Sequence, residues 1–458
     1  MPSLLRLPAM RFLLYAAFTV AFDQNMTSPN LSDMAAAFHL SDSERDARLG
    51  GLCMFCYFII GGICSVLIGG MPTSGSAQRK AFRYLLLVYT LANAHIALVL
   101  SNTRPGFFSF LLARLAAGAA FGGALPLIFA LAAQETGEEV RTLVSGLIGT
   151  AVSAGAAIGQ VLNGLLPGWR LGYLVSAVLG LAVVLLTDVF LSAGTPPAIS
   201  NEERRTLWRD QQQSKSQAES KFDFGQYRHI LRLKTNRILF LQCVPGNVGW
   251  SVVAVFLADF IHGELNFTKP AATLAITVFG LGGLAANMWG SKYGQSLFNQ
   301  NRKMQLVYLL ALPAIAGTVP MIILILGKPT SFFSLVGLLL AAAVGAVPGP
   351  NIKGLLLAAN SQERRAAVFS AFQLVEMIGK GIGPILVSFL AMATSSRPFA
   401  MVLCVLGWAV SGLLSLQLNT CIDKDTSDQH ELVSSAFFEI YGIHDVRHPT
   451  NNKAHKIV

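Results

Sequence analysis

The chain has 458 residues, of which 53% are hydrophobic and 13% charged, against roughly 25% charged in soluble domains. So little polar surface excludes a water-soluble globule and places the chain in a bilayer. The net charge of +10 at pH 7 gathers mainly in one interior stretch, so it does not argue for a nucleic-acid partner.

The first apolar stretch follows Arg6 and Arg11. It is too long for a signal-peptide core and lacks a small-residue cleavage pattern, so it is expected to stay as a span. At about 20 apolar residues per crossing, six spans are predicted in the first half: Phe12–Phe38, Leu49–Met71, Phe82–Leu100, Gly106–Ala133, Thr142–Leu166 and Leu171–Leu191. Six more follow: Ile238–Ile261, Ala271–Gly290, Met304–Leu326, Phe332–Ala358, Ala366–Ala393 and Ala400–Leu418. The fold class is therefore an all-α integral membrane protein of twelve transmembrane helices in two six-helix halves. The halves are expected at 1–192 and 237–419, with a cytosolic linker at 193–236 and a cytosolic polar tail at 420–458.

The two halves repeat. Glu139, Arg141, Val144, Gly155, Ile158, Gly159 and Leu162 return 224 residues later as Glu363, Arg365, Val368, Gly379, Ile382, Gly383 and Leu386. The same shift carries Pro126 onto Pro350 and Asp23 onto Asn247. A direct repeat relates the halves by an axis along the membrane normal, which requires an even number of crossings between them.

Orientation follows from Lys and Arg. With the N-terminus inside, the inner side receives Arg6, Arg11, Arg79, Lys80, Arg83, Arg141, Arg237, Lys292, Arg302, Lys303, Arg364 and Arg365. The outer loops hold fewer: Arg45, Arg48, Arg104, Arg170, Lys269, Lys328 and Arg397. Both termini are expected in the cytosol, in a plasma or endolysosomal membrane. The linker from Ser200 to Asn236 holds much of the positive charge and reads as a solvated segment near anionic headgroups.

Charges inside an apolar span are expensive and mark function. Phe12 to Phe22 is eleven residues, roughly 17 Å of helix, too short to cross a core of about 30 Å. Asp23 must then lie inside the membrane, and the polar string Asp23-Gln24-Asn25 predicts a face wetted by a cavity. Arg114, at similar depth on the fourth span, is the expected partner of Asp23, as a coupling pair or as a permanent structural salt bridge. Glu376 and Lys380 are four apart on the eleventh span and share a face. They are either a self-neutralising structural pair or a functional one. Lys353 follows Pro348-Gly349-Pro350-Asn351, where a broken tenth helix would free carbonyls to line a cavity. Asp259 should stand near the outer end of its span, and His95 reads as a packing residue. The coupling and substrate-binding candidates are Asp23, Gln24, Asn25, Arg114, Asn247, Lys353, Glu376 and Lys380. Gly155, Gly159, Gly379 and Gly383 are the gating and packing candidates, since small residues let helix backbones approach.

The six cysteines form no disulfide framework or zinc pattern. Cys53-x-x-Cys56 reads as buried small side chains in a helix. No phosphate-binding Gly-x4-Gly-Lys-Ser/Thr occurs, nor His-Glu-x-x-His or Gly-x-Ser-x-Gly, so neither an ATP-driven pump nor an enzyme is expected, and no cofactor or metal is implied.

At these residues the chain resembles the major facilitator superfamily. Gly69-Gly70 followed by Arg79-Lys80, and Gly290 and Gly294 followed by Arg302-Lys303, look like the family's inner-loop signature in both halves. Gly155–Gly159 and Gly383-Pro384 are similar to its fifth- and eleventh-span motifs. Asp23, Arg114 and Trp169-Arg170 resemble Spinster-like lipid transporters, with Gln24 and Phe121 standing where those often have arginine and glutamate. The resemblance implies alternating access, a cavity lined by spans one, four, seven and ten, and protons as a candidate coupling ion. The expected function is secondary transport of a small organic or amphiphilic solute. The alternative is a transporter-like sensor or receptor without turnover.

Overall fold

The computed structural model describes residues 7–69, 75–135, 141–191, 230–327, 331–360 and 365–425. The tail beyond Asp425 and all of the linker before Ile230 lie outside these residues. Among the described residues, eleven helices are long and apolar enough to cross a membrane, and Pro8–Phe22 is a shorter apolar helix. The chain is a multi-pass, all-helical membrane protein.

The first span is not one helix. Pro8–Phe22 ends at Asp23, a tight turn and a short 3₁₀ segment Ser28–Asn30 follow, and Leu31–Ala37 completes the crossing. The second span starts earlier than its apolar run, at Asp42. Ser41 accepts the backbone N–H of Glu44 while the Glu44 carboxylate takes the N–H of Ser41, and this reciprocal cap starts the helix inside a charged sequence. The next four spans are Gly75–Ala94 continued by a wider turn to Val99, Arg104–Glu135, Arg141–Leu165 and Arg170–Leu191.

In the second half, Lys234–Gly263 runs unbroken through Pro245. The eighth span, Lys269–Asn299, goes nine residues past its expected end at Gly290. Tertiary contact extends it: Asn351 on the tenth span donates to the Gly290 carbonyl at 3.1 Å, and a Cβ on Gly294 would stand 1.8 Å from Asn351 Oδ1. Lys303–Gly327 follows. The tenth span is split into Ser331–Gly345 and Pro348–Ala359. Arg365–Thr394 is the eleventh, and the twelfth, Arg397–Val405 and Gly407–Leu416, is interrupted where Gly407 abuts the Pro245 carbonyl.

Each half is tied together by backbone contact at glycine. On the fifth span, a Cβ on Gly155 or Gly159 would fall 2.1 Å from Phe18 O or 1.8 Å from Phe22 O. On the eleventh, Gly379 and Gly383 meet Val244 O and Val248 O in the same way, at 2.8 and 2.6 Å. The repeat is therefore built as paired crossings of first on fifth and seventh on eleventh. The offset corrects the expected register: matched contacts are 226 residues apart on the first and seventh spans, but 224 apart on the fifth and eleventh. The counterpart of Asp23 in packing is Gly249, and Asn247 lies half a turn earlier.

Between halves, the second span packs on the eleventh from Gly51 against Ile385, through Gly61 and Gly62 against Met377 and Leu374, to Gly69 against Ser370. The fifth meets the eighth where Gly164 abuts Thr273. Outward faces carry exposed Leu112, Leu185, Phe332, Phe389 and Leu413, a surface suited to lipid.

Candidate functional site

Three polar clusters break the apolar interior. The first is held by Arg114 in the middle of the fourth span. Its Nη1 donates to Asp23 Oδ2 at 2.7 Å and to the Asp23 carbonyl at 3.2 Å, and Nη2 reaches the Gln24 carbonyl at 3.3 Å. Helix ends leave carbonyls unpaired and carry partial negative charge, so the guanidinium satisfies the broken end of the first helix as well as the carboxylate. Tyr57 donates to Asp23 Oδ1 at 3.1 Å, and its ring lies under the guanidinium at 4.3 Å. Asn163 takes the Met26 carbonyl at 2.9 Å.

The expected Asp23–Arg114 pair is thus formed, but not on a wetted face. Both side chains are 0% exposed, because Tyr57 covers the carboxylate and because Arg114 and Asn163 satisfy the broken helix end. Gln24 and Asn25 are half-buried.

The second cluster belongs to the C-terminal half. Lys380 donates to Glu376 Oε1 at 2.9 Å, and Lys353 Nζ stands 3.8 Å from Oε2. Lys353 is the more open, with its side chain 52% exposed. Asn247 turns back on its own helix, donating to the Cys243 carbonyl at 2.9 Å, and its Cβ lies against Gly379. The break in the tenth helix falls at Ala346 and Val347, whose carbonyls both have donors: Gly349 N–H bonds to the first, and Asn351 Nδ2 to the second at 3.0 Å.

The third cluster joins the halves at the end of the bundle away from the first and last described residues. Asp259 accepts from Ser32 Oγ at 2.7 Å and pairs with Arg397 Nη1 at 2.7 Å. Arg397 Nε stands 3.1 Å from Asp46 Oδ2, and Arg45 Nε donates to Asp46 Oδ1 at 2.9 Å. Ser388 Oγ donates to the Asp46 carbonyl at 2.5 Å. Lys269 pairs with Asp33 and donates to Asn30 Oδ1 at 2.6 Å. Gln160 donates to the Ala254 carbonyl at 3.2 Å. Sequence reasoning placed Asp259 near a span end but did not connect it; Arg45 and Arg397 read there as ordinary loop charges, and Asp46 was not singled out. A usable signal was the capping pair Ser41 and Glu44, which draws the charged stretch into the second helix.

His95, as expected, packs, with Nε2 2.7 Å from Ser109 Oγ. Of the inner-loop basic residues, Arg79 donates to the Leu191 carbonyl at 2.6 Å, and Lys303 pairs with Asp423 at 3.6 Å. The segment 70–74 between Gly69 and Arg79 lies outside the described residues.

A family model described as Major Facilitator Superfamily matches residues 13–384. A triacylglyceride transporter of Mycolicibacterium hassiacum is 30% identical over 149 residues, a match spanning 32% of this chain and 27% of that protein. The fold is similar to that of a bacterial homolog to the human lysosomal transporter Spinster in an inward-facing, unoccupied conformation. The TM-score is 0.71 at 14% identity, covering 91% of this chain and 97% of that one. It is also similar to the xylose transporter XylE from E. coli, with a TM-score of 0.64 at 14% identity over 90% of this chain and 96% of that chain.

Proposed function

The chain belongs to the Major Facilitator Superfamily, and on that premise we propose that it is a secondary transporter moving a small organic or amphiphilic solute by alternating access, with Asp23 as the proton-coupling group. One observation carries this reading: among the described residues, a set of ion pairs and hydrogen bonds joins the halves at one end, around Asp46, Asp259 and Arg397. They act as a latch closing that end. The opposite end carries the Lys and Arg excess and is assigned to the cytosol, so the latch is assigned to the outer side. The latch and the packed seam of second on eleventh span supply two states in which the halves rock about the site. Asp23 is the one carboxylate among the described residues sealed at 0% exposure. In the coupling step its proton displaces the Arg114 ion pair and leaves when that pair reforms. The Mycolicibacterium relative, a triacylglyceride transporter, supports a lipid-like solute.

The test uses purified protein in sealed vesicles enclosing a pH-sensitive dye. Solutes that differ between cells with and without the gene are added under a pH gradient. Solute-dependent proton entry and solute accumulation are expected with the natural chain, and neither with Asp23→Asn. Binding of those solutes without accumulation would make the protein a sensor instead, and accumulation by Asp23→Asn would remove Asp23 from the coupling step.

A further inference from the structure

The Glu376 cluster is not self-neutral. One carboxylate faces two ammonium groups, Lys380 at 2.9 Å and Lys353 at 3.8 Å, so the group carries one positive charge more than it can balance internally. It also lies deep: Glu376 is eleven residues past Arg365, the first residue of its helix, about 17 Å along the axis. A charge at that depth is costly unless paired or facing an aqueous cavity.

Its direction follows from the eleventh helix. Leu374 and Met377 pack on Gly62 of the second span, and Gly379 and Gly383 on the seventh. Glu376 and Lys380 occupy the arc between those two contacts. Phe389, 63% exposed, projects from the opposite arc, which faces lipid. The cluster therefore opens into the cleft between the halves. Lys353 reaches it from the tenth span with the longer ion-pair distance and the greater exposure, so Lys353 is the ammonium free to take a ligand. On the first span before Asp23, Leu14, Tyr15 and Phe18 are partly exposed and none of the three carries a charge.

We infer that Lys353 and Lys380, balanced by Glu376, form the binding site for the acid group of an organic monoanion, a carboxylate or equivalent on an apolar body. This deepens the transport reading and rests on it. Binding of one negative charge brings the cluster to neutrality. Lys353 supplies the new contact, while Lys380 stays bonded to Glu376.

The test is thermal unfolding of the purified full chain in neutral detergent with octanoate, octylammonium or 1-octanol, probes sharing one chain length. Octanoate should stabilise and the other two should not. Lys353→Gln should raise the half-maximal octanoate concentration at least tenfold, Lys353→Arg should keep it near that of the natural chain, and Glu376→Gln should lower it. Equal stabilisation by all three probes, or an unchanged octanoate response in Lys353→Gln, overturns the inference; Glu376→Gln weakening the response does so independently. Octanoate-selective binding without uptake in vesicles would count against transport alone. Transport of a neutral solute without anion selectivity would count against this site alone.

Discussion

The carbonyl oxygen of Phe22 lies 1.8 Å from the position that a Cβ on Gly159 would take. The first and fifth spans thus touch backbone to backbone one residue before the helix breaks at Asp23. The position of Asp23 is set by that contact as much as by its ion pair. Gly159→Ala must push the first span away, and overpacking of this kind costs about 1–3 kcal/mol or more. We expect a lower unfolding temperature and loss of uptake. Gly149→Ala on the same helix, where nothing lies within 4 Å, should change neither. A stable, active Gly159→Ala protein would show that the spans are not held in this contact.

Removing one partner of a fully buried ion pair leaves the other unpaired, at a cost of about 3–5 kcal/mol. Arg114→Met should therefore destabilise more than Asp23→Asn, because it also strips the Gln24 carbonyl of its donor and leaves the Asp23 carbonyl with only Met26 N–H. Tyr57→Phe removes one hydrogen bond and should cost about 0.5–1.5 kcal/mol. Thermal unfolding of the three variants gives the order, and a Tyr57→Phe loss equal to that of Arg114→Met would contradict the geometry.

For Glu376 and Lys380, a stability and uptake series separates a structural pair from a working one. Glu376→Gln combined with Lys380→Met restores folding in either case. If Glu376 serves only to neutralise, uptake returns with it. We expect a folded, inactive double variant, and full uptake would take Glu376 off the site.

Opening of the far end must break the contacts of Asp259 and Arg397. Asp259→Asn and Arg397→Gln are each expected to shift the population toward the outward-open state. A cysteine replacing Ser32, beside Asp259, should then be labelled faster by an impermeant maleimide from the outer side. Labelling slower than in the Ser32→Cys background would show that these residues do not latch that end.

Tags at Met1 and Val458 should both be cytosolic. Asn266, exposed in the turn between the seventh and eighth helices and followed by Phe267-Thr268, should accept glycan on the opposite side. A tag reached from outside in intact cells reverses the orientation, and with it the naming of the latch as outer.

Most spans were legible because their apolar runs are long, and Asp23–Arg114 and Glu376–Lys380 because a charge inside such a span is rare. Where packing overrode composition, the reading was short. The second helix begins at Asp42 through its cap, the eighth continues to Asn299 along the tenth, and the repeat offset differs by two between its contacting helices. The latch was hidden for a different reason. Charges at loop positions such as Arg45 and Arg397 look ordinary, and only folding brings them against Asp259 from separate halves.

The four core side chains of the latch, Arg45, Arg397, Asp46 and Asp259, add up to no net charge. A membrane potential does work on a displaced charge of about 2.3 kcal/mol per elementary charge per 100 mV, and on a balanced group carried across the same distance it does almost none. If this end opens and closes as proposed, the movement is therefore electrically silent. On the proposed cycle, voltage would then act through the interior: the excess positive charge of the Glu376 cluster, the proton proposed for Asp23 and the solute proposed beside Lys353.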